Sequence, residues 1–250
     1  MTSITSIYSP LPGNGVTTIA ANLAALLASW GSRVCLVDLN FDFPDVAEIT
    51  GLPQEQIQFT LTDCLFGKCE AVSTLIQLPA ERFGGGEGQF WVVPASKELG
   101  DRMRLHREGY DFNLLNKAIK SACQKTQADH LILDLSAGMR DDTMLTIGIS
   151  DTLLTVASPK ERTLRELASV LRTADMLEIS RSFTILNKIP ANYDREQVRG
   201  EVEKKLEVKI AAAILQSGDI ETVGDSGRFF ALAFPYHPFS RELASCAALL

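Results

Sequence analysis

The 250-residue sequence is poor in positive charge, and its first 32 residues carry no charged side chain at all. Residues 1–80 contain only Arg33 and Lys68 against seven acidic residues, and the formal net charge of the whole chain is −7. A protein that coats nucleic acid or an anionic membrane needs a broad excess of Lys and Arg. We therefore exclude these classes and do not expect nucleic acid as a partner.

Long hydrophobic segments are also missing. The longest strongly apolar run, residues 19–30, is too short to cross a bilayer, and no basic segment precedes it as in a signal peptide. We therefore expect a cytoplasmic protein without a membrane span. The five cysteines form no C-x-x-C pair and no cluster with histidine, which predicts free, buried thiols rather than a zinc site or disulfides. These are Cys35, Cys64, Cys69, Cys123 and Cys246.

Strands and helices alternate along the whole chain. Apolar, strand-like runs lie at residues 4–8, 33–38, 90–93, 130–134, 153–156, 182–186 and 210–215. Helical periodicity is found at residues 17–30, 112–123, 163–177 and 196–206. This alternation predicts an α/β fold with a doubly wound, mainly parallel sheet and helices on both faces. Because no linker divides the chain, we expect residues 1–250 to form a single domain.

The first strand ends in a glycine-containing loop that leads into the first helix. Sheets of this kind bind phosphates at this turn, because free backbone N–H groups and the helix dipole converge there. The loop and first helical turn read S-P-L-P-G-N-G-V-T-T from residue 9 to residue 18. The candidate phosphate-binding residues are Gly13, Asn14, Gly15, Val16, Thr17 and Thr18. The alternative is a tight turn that binds nothing.

This loop resembles the deviant Walker A loop of the MinD/ParA family of P-loop ATPases, whose pattern is K-G-G-x-G-K-T-T. Later segments resemble that family in the same order: the L-V-D-x-D segment at residues 36–40, the V-P-A-S turn at residues 93–96 and the Walker B strand at residues 131–138. Several motifs in order over nearly the whole chain are more specific than one glycine motif. The resemblance implies a MinD/ParA-like P-loop domain that binds ATP or ADP with Mg²⁺.

The same resemblance implies roles for four further side chains. Thr17, Asp38 and Asp134 fall on positions that hold Mg²⁺, and Asn187 falls at a strand end where the family reads the nucleotide base. Each has a plainer alternative. The two aspartates could cap loops or hold a dimer interface, and Asn187 could belong to an ordinary strand exit.

The departures from the family pattern concern the catalytic positions. Val16 replaces the lysine that reaches the β- and γ-phosphates, and Leu11 replaces the signature lysine that crosses to a partner subunit. Asn40 stands where the family has the acidic residue that positions water, and we expect neither Asp42 nor Asp45 to replace it. Since loss of one such group costs on the order of 10²–10³ in rate, we predict a degenerate member with no catalytic residues and little or no hydrolysis.

Within the family the sequence is most similar to the CpaE/TadZ branch of pilus-assembly and polar-localisation proteins, in which the P-loop lysine is often absent. The resemblance implies a positioning or assembly factor that works as a homodimer with an unidentified protein partner. Two alternatives stay open: an active ATPase switch completed by a partner's residue, for example from the basic residues 102–107, and a nucleotide-free scaffold. We expect those basic residues to form a solvated helix face, or to contact an acidic partner or a phosphate.

Overall fold

The computed structural model describes residues 2–224 and 226–250, except for the side chain of Glu221. In this part of the chain, eight strands form one sheet in the order β3-β4-β2-β5-β1-β6-β7-β8. The short edge strand β3 pairs antiparallel with β4, and all other neighbours are parallel. The predicted doubly wound, mainly parallel sheet is therefore confirmed. The strands are β1 (Ser3–Tyr8), β2 (Arg33–Leu39), β3 (Ile76–Gln77), β4 (Gln89–Val93), β5 (His130–Leu135), β6 (Thr152–Ala157), β7 (Arg181–Ile189) and β8 (Ile210–Leu215).

Helices cover both faces of the sheet, as predicted. One face packs against α1, α2, α10 and α11, and the other against α3, α5, α7 and α8. This double coverage explains why the central strands are apolar at consecutive positions. The helices are α1 (Val16–Ser29), α2 (Val46–Ile49), α3 (Leu61–Leu65), α4 (Leu99–Glu108), α5 (Phe112–Thr126), α6 (Asp141–Gly148), α7 (Glu161–Met176), α8 (Arg195–Leu206), α9 (Gly218–Gly224), α10 (Phe230–Ala233) and α11 (Pro238–Ala247).

The first helix is buried on all sides. Ten consecutive residues of α1, from 19 to 28, are inaccessible to solvent, because α1 lies between the sheet and the helices α2, α10 and α11. A helix in this position is apolar all round. It ends at Ser29 with Trp30 as its C-cap, and Gly31 follows with a φ of +98°, the left-handed conformation that glycine adopts at a helix C-terminus. Burial thus accounts for much of the uncharged start of the sequence.

One expectation from the sequence needs correction, and several short elements were not predicted. All five cysteines are free, as expected, but Cys64, Cys69 and Cys123 are only partly buried, and full burial holds for Cys35 and Cys246 alone. The short elements β3, α6, α9 and α10 were not predicted, because two to eight residues are too few to show a period. In the described part of the chain no helix is both long and apolar enough to cross a membrane.

Residues near the two ends of the described chain meet where β1 and β7 begin. The guanidinium of Arg181, at the start of β7, donates to the carbonyl of Leu249 at 3.0 Å and to the hydroxyl of Ser3 at 3.4 Å. The carboxylate of Glu242 on α11 accepts from the amide of Ala213 on β8 at 2.7 Å. The C-terminal helix is therefore fixed to the sheet by specific polar contacts as well as by its apolar face.

The side chain of Asn22 supplies a test of the fold. It is buried inside α1, and its Oδ1 accepts from the amide of Ala231 on α10 at 2.8 Å. We expect Asn22→Ala to lower the free energy of unfolding by about 1–3 kcal/mol, because a buried amide loses its acceptor. Urea unfolding measures this, with the exposed Asn113→Ala on α5 as the control. Equal stability of the two variants would contradict the role given to Asn22.

Candidate functional site

The loop between β1 and α1 has a fixed and unusual backbone. Gly13 and Gly15 have φ values of +79° and +84°, in the left-handed region that favours glycine. The buried Asn14 side chain donates to the hydroxyl of Ser9 at 2.8 Å and to the carbonyl of Leu11 at 3.0 Å. The loop is therefore held in shape from the inside by its own polar groups, without a ligand.

Asn187, at the end of β7, reaches this loop. Its Nδ2 donates to the carbonyl of Asn14 at 2.8 Å, and the side chain is buried. A Cβ atom on Gly15 would lie 2.8 Å from the same Nδ2, so the close approach requires glycine. The cavity beside Asn187 measures about 60 Å³, room for only a few water molecules. In this conformation Asn187 braces the loop, and its role in reading a base stays a prediction.

The N-terminus of α1 opens toward the cleft above the loop. No described side chain caps it, and its first turn, which includes Val16, Thr17 and Thr18, contains no acidic residue. The first amides of a helix lack partners within the helix and carry the positive end of its dipole. This end of α1 is therefore suited to an anion such as a phosphate group.

Two aspartates lie side by side beneath the loop. Asp38 on β2 and Asp134 on β5 are partners in the register of these strands, and both are buried. Asp38 accepts hydrogen bonds from the amides of Asn40 at 3.0 Å and Val46 at 3.3 Å. Neither carboxylate oxygen of Asp134 has a hydrogen-bond partner among the described residues. The alternative that these aspartates only cap loops therefore fits part of the environment of Asp38 but not that of Asp134.

The pair is electrostatically costly without a cation. Burial raises the pKa of Asp134 to about 7, and the Thr17 hydroxyl opposes part of that rise. The pKa of Asp38 is also raised, by burial and then by the negative charge of Asp134, while the amides of Asn40 and Val46 act in the opposite direction. Each carboxylate makes ionisation of the other more difficult. The site therefore gains from any positive charge placed between them.

The donor set fits Mg²⁺ that is bound together with phosphates. The structure places Asp38 beside Asp134, with the Thr17 hydroxyl close to Asp134, and the oxygens of Asp134 are available to a cation. The role of these three residues in holding Mg²⁺ stays a prediction. Across the described residues there is no cluster of three or more His, Cys, Asp or Glu side chains arranged for a metal. Mg²⁺ is typically held by one or two carboxylates plus substrate phosphates and water, so two carboxylates suffice for such a site.

A cleft of about 680 Å³ lies over the loop; Thr17 lines it, whereas the buried Asp38 and Asp134 do not. Val16, Leu11 and Asn40, the three departures from the family pattern, all line it. Among the described residues its wall contains no Lys or Arg, although it contains two carboxylates. The backbone of the predicted site is thus assembled without the cationic side chains that would neutralise a triphosphate. The lining residues are Pro10, Leu11, Pro12, Gly13, Asn14, Gly15, Val16, Thr17, Thr18, Asn40, Asp42, Phe43, Asp45, Ile49, Leu135, Ala137 and Gly138.

Those two carboxylates belong to Asp42 and Asp45, and basic side chains from outside the cleft hold both. The Asp42 carboxylate lies 2.9 Å from Nε2 of His106 and 3.4 Å from the guanidinium of Arg140. Asp45 is 3.4 Å from Nζ of Lys97. Because these partners hold both carboxylates, neither is placed to orient water. That is the role that Asn40 cannot fill, since it has no carboxylate.

The basic residues 102–107 contribute to this arrangement. Arg102 donates to the carbonyl of Asp42 and lies over the ring of Phe43, whereas Arg104 and Arg107 pair with Glu108. Arg104 and Arg107 therefore belong to a solvated helix face, whereas Arg102 and His106 on α4 contact the loop after β2. The sequence offered no signal for this contact, because 60 residues separate Arg102 from Asp42.

The sheet, the glycine loop at its first βα turn and the paired aspartates define a P-loop nucleotide-binding fold. A protein-family model described as AAA domain matches residues 2–187. The chain belongs to this family of AAA domains, and it is similar in sequence and fold to MinD/ParA-type P-loop ATPases.

Individual relatives cover almost the whole chain. An uncharacterized ATP-binding protein of Methanocaldococcus jannaschii is 26% identical over 245 residues, which are 98% of this chain and 86% of the relative. The septum site-determining protein MinD of Pyrococcus horikoshii, solved with Mg-ADP, superposes with a TM-score of 0.82 at 21% identity, over 99% of this chain and 95% of that one. MinD in the MinC:MinD cell division protein complex of Aquifex aeolicus gives 0.81 at 20% identity, over 99% and 94%. The structural similarities establish the fold.

The contact between Gly15 and Asn187 can be tested by a matched pair of variants. Gly13→Ala and Gly15→Ala both force alanine into the left-handed region, at a cost of about 1–2 kcal/mol each. Only Gly15→Ala also displaces the Asn187 amide, since an added Cβ on Gly13 meets nothing within 4 Å. We expect Gly15→Ala to lose about 1 kcal/mol more free energy of unfolding in urea titrations. Equal losses would show that Asn187 does not brace the loop.

The raised pKa of Asp134 predicts an unusual pH dependence. Between its ordinary pKa of 3.8 and its folded-state value of about 7, the folded protein binds more protons than the unfolded chain, so stability falls as pH rises through this range. We expect Asp134→Asn to stabilise the ligand-free protein at pH 8, by on the order of 1–3 kcal/mol, and to flatten this slope. Thermal unfolding from pH 5 to pH 8 measures both effects. The exposed Asp175→Asn on α7 should change neither, and a destabilised Asp134→Asn at pH 8 would refute the argument.

Proposed function

We propose that this chain binds ATP or ADP together with Mg²⁺ in the cleft over the loop, hydrolyses it slowly or not at all, and acts as a cytoplasmic positioning or assembly factor. The observation that carries the proposal is the composition of the cleft wall, which contains the backbone of the glycine loop and Thr17 but no Lys or Arg among the described residues. Residues 1–250 would act as one domain, which the single sheet from β1 to β8 supports.

Binding would depend on the backbone and the metal. The amides of Gly13, Asn14, Gly15, Val16, Thr17 and Thr18 would hold the phosphates at the N-terminus of α1. Thr17, Asp38 and Asp134 would hold Mg²⁺, whose charge would satisfy the aspartates and reduce repulsion between the phosphates and the wall. Asn187 would contact the base after a change in its hydrogen bond to the loop. Because the metal supplies the main positive charge, affinity should depend strongly on Mg²⁺.

Turnover would be slow because the groups that stabilise charge in phosphoryl transfer are missing. At the positions of the two lysines stand Val16 and Leu11, neither of which can contact a developing negative charge on the phosphates. Asn40 has no carboxylate to orient water. Catalysis of phosphoryl transfer consists almost entirely of such positioning and charge stabilisation. A bound nucleotide would therefore order the site rather than supply energy through hydrolysis.

The rim of the cleft supports an assembly role. Phe43 and Met139 are large, exposed side chains on loops near the glycine loop, with relative exposures of 62% and 40%. Exposed aromatic and methionine side chains in one region are typical of protein interfaces. We infer a homodimer that packs across the loop, and a protein partner, as in the CpaE/TadZ branch with its pilus and polar-localisation roles. A net charge of −7 disfavours nucleic acid as that partner.

Calorimetry and a hydrolysis assay separate this proposal from its alternatives. We expect saturable, Mg²⁺-dependent binding of ATP or ADP and phosphate release close to the background rate. Turnover that disappears in Thr17→Ala and Asp38→Asn would show an active ATPase, whether alone or with a partner present. No binding heat with either nucleotide would show a nucleotide-free scaffold. Sedimentation with and without nucleotide tests whether the dimer depends on the ligand.

Restoring one charge should strengthen binding. We expect Val16→Lys to lower the Kd for Mg-ATP at least tenfold, because a charged hydrogen bond to a phosphate contributes roughly 1.5–3 kcal/mol. Val72→Lys, which adds the same charge on a remote surface, is the matched control and should leave the Kd unchanged. If both variants bind like the original chain, the phosphates do not lie where the loop predicts.

A further inference from the structure

A second and larger cleft lies on the other side of the glycine loop. It measures about 940 Å³ and is bounded by the loop, the first turn of α7, the segment after β7 and one face of α8. Leu11, Pro12, Gly13 and Asn14 line both this cleft and the one over the aspartates. The loop is thus a wall between two clefts, and only one of them is lined by Thr17, a candidate Mg²⁺ ligand.

The second cleft is rich in cationic side chains. Lys160, Arg162, Lys188 and Lys205 all line it. Within the described part of the chain, Lys160, Arg162 and Lys205 have no carboxylate within ion-pair distance. Four basic side chains around one concavity are unusual in a chain with a net charge of −7. Such a concentration of one sign of charge attracts a multiply charged anion.

The acidic side chains of this cleft do not cancel that charge. The Glu161 carboxylate pairs with Arg165, at 3.2 Å, on the adjacent turn of α7. The Glu201 carboxylate accepts from Nε2 of Gln197 at 2.8 Å on α8. Gln197 is neutral, so Glu201 keeps its charge, but the four basic side chains of this cleft outnumber its two acidic ones. Among the described residues the wall of the other cleft contains two carboxylates and no Lys or Arg.

The remaining wall indicates the kind of anion. Tyr193 exposes an aromatic ring at 58% relative exposure, and Pro12 and Pro190 add flat apolar surface. Lysines contact phosphates as point charges, and an exposed aromatic ring can stack on a nucleobase. We propose that this cleft is a second ligand site, which binds a nucleoside polyphosphate through Lys160, Lys205 and Tyr193 without requiring a metal ion.

This site differs from the site over the aspartates in one measurable respect. The cleft over the aspartates needs Mg²⁺ to offset its carboxylates, whereas the lysine-lined cleft supplies its own cations. Binding in EDTA therefore reports on the second site alone. The inference does not depend on the proposed function, because nucleotide binding in EDTA can persist even if no Mg²⁺-dependent binding is found.

The test is calorimetric titration of the chain with ATP in EDTA at low salt. We expect about one equivalent of ATP per chain and a Kd that rises at least tenfold in Lys160→Glu/Lys205→Glu, since two charged contacts are reversed. The control Lys117→Glu/Lys125→Glu on α5 makes the same change in net charge far from the cleft, and it should retain the original Kd in EDTA. Circular dichroism confirms that each variant is folded.

Pyrophosphate and Tyr193→Ala test the nucleoside part of the proposal. We expect Tyr193→Ala to weaken ATP binding in EDTA but not pyrophosphate binding. Absence of saturable binding in EDTA, or equal weakening by the α5 control pair, would overturn the site. Pyrophosphate binding as tight as that of ATP would overturn the assignment to a nucleoside polyphosphate. Loss of EDTA binding in Gly15→Val would place the ligand in the loop rather than in the lysine-lined cleft, and would also overturn the proposal.

Discussion

The adjacent burial of Asp38 and Asp134 is the constraint to which the rest of the site is fitted. Two parallel strands that end together bring these carboxylates into register, and the glycine loop with α1 closes over them. Buried carboxylates are tolerated when they are protonated, hydrogen-bonded or bound to a cation. Asp38 has two amide donors, but Asp134 has none among the described residues. The architecture therefore stores an unfavourable interaction that a bound cation relieves.

The loop keeps opposite charges apart. On one side lie the buried aspartates together with Asp42 and Asp45. On the other side lie Lys160, Lys188 and Lys205. Family members with the full motif place lysines within the loop itself, as the resemblance implies. Here Leu11 and Val16 make that wall neutral.

Much of the fold was predictable because its signals are local. The apolar runs in β1, β2, β5, β6 and β7 and the periodicity of α1, α5 and α7 are long enough to identify each element. That Asp38 and Asp134 lie at the same edge of the sheet also follows, since parallel strands share one C-terminal edge. Their register does not follow, because it depends on the adjacency of β2 and β5, which the sequence did not predict. The absence of charge in the first 32 residues has two causes, the loss of the two lysines and the burial of α1 on all sides. The sequence alone did not separate them.

The parts of the site that escaped prediction depend on contacts distant in sequence. The contacts of Arg102 and His106 with Asp42 join residues that are at least 60 positions apart. The hydrogen bond from Asn187 to Asn14 spans 173 positions. Side-chain partners at such separations have no periodic signature. The same reason hid the lysine-lined cleft, whose basic residues come from α7, β7 and α8 and look like ordinary surface charges along the sequence.

The bridge that Arg181 makes between Ser3 and Leu249 has a consequence for molecular engineering. Both chain ends lie at the edge of the sheet where β1 and β7 begin, whereas the loop and both clefts lie where the strands finish. A fluorescent tag, an affinity handle or a further domain attached at either terminus would emerge on the far side of the molecule. The neighbouring ends also make the chain a good subject for circular permutation, with new termini opened in the glycine-rich segment 84–88.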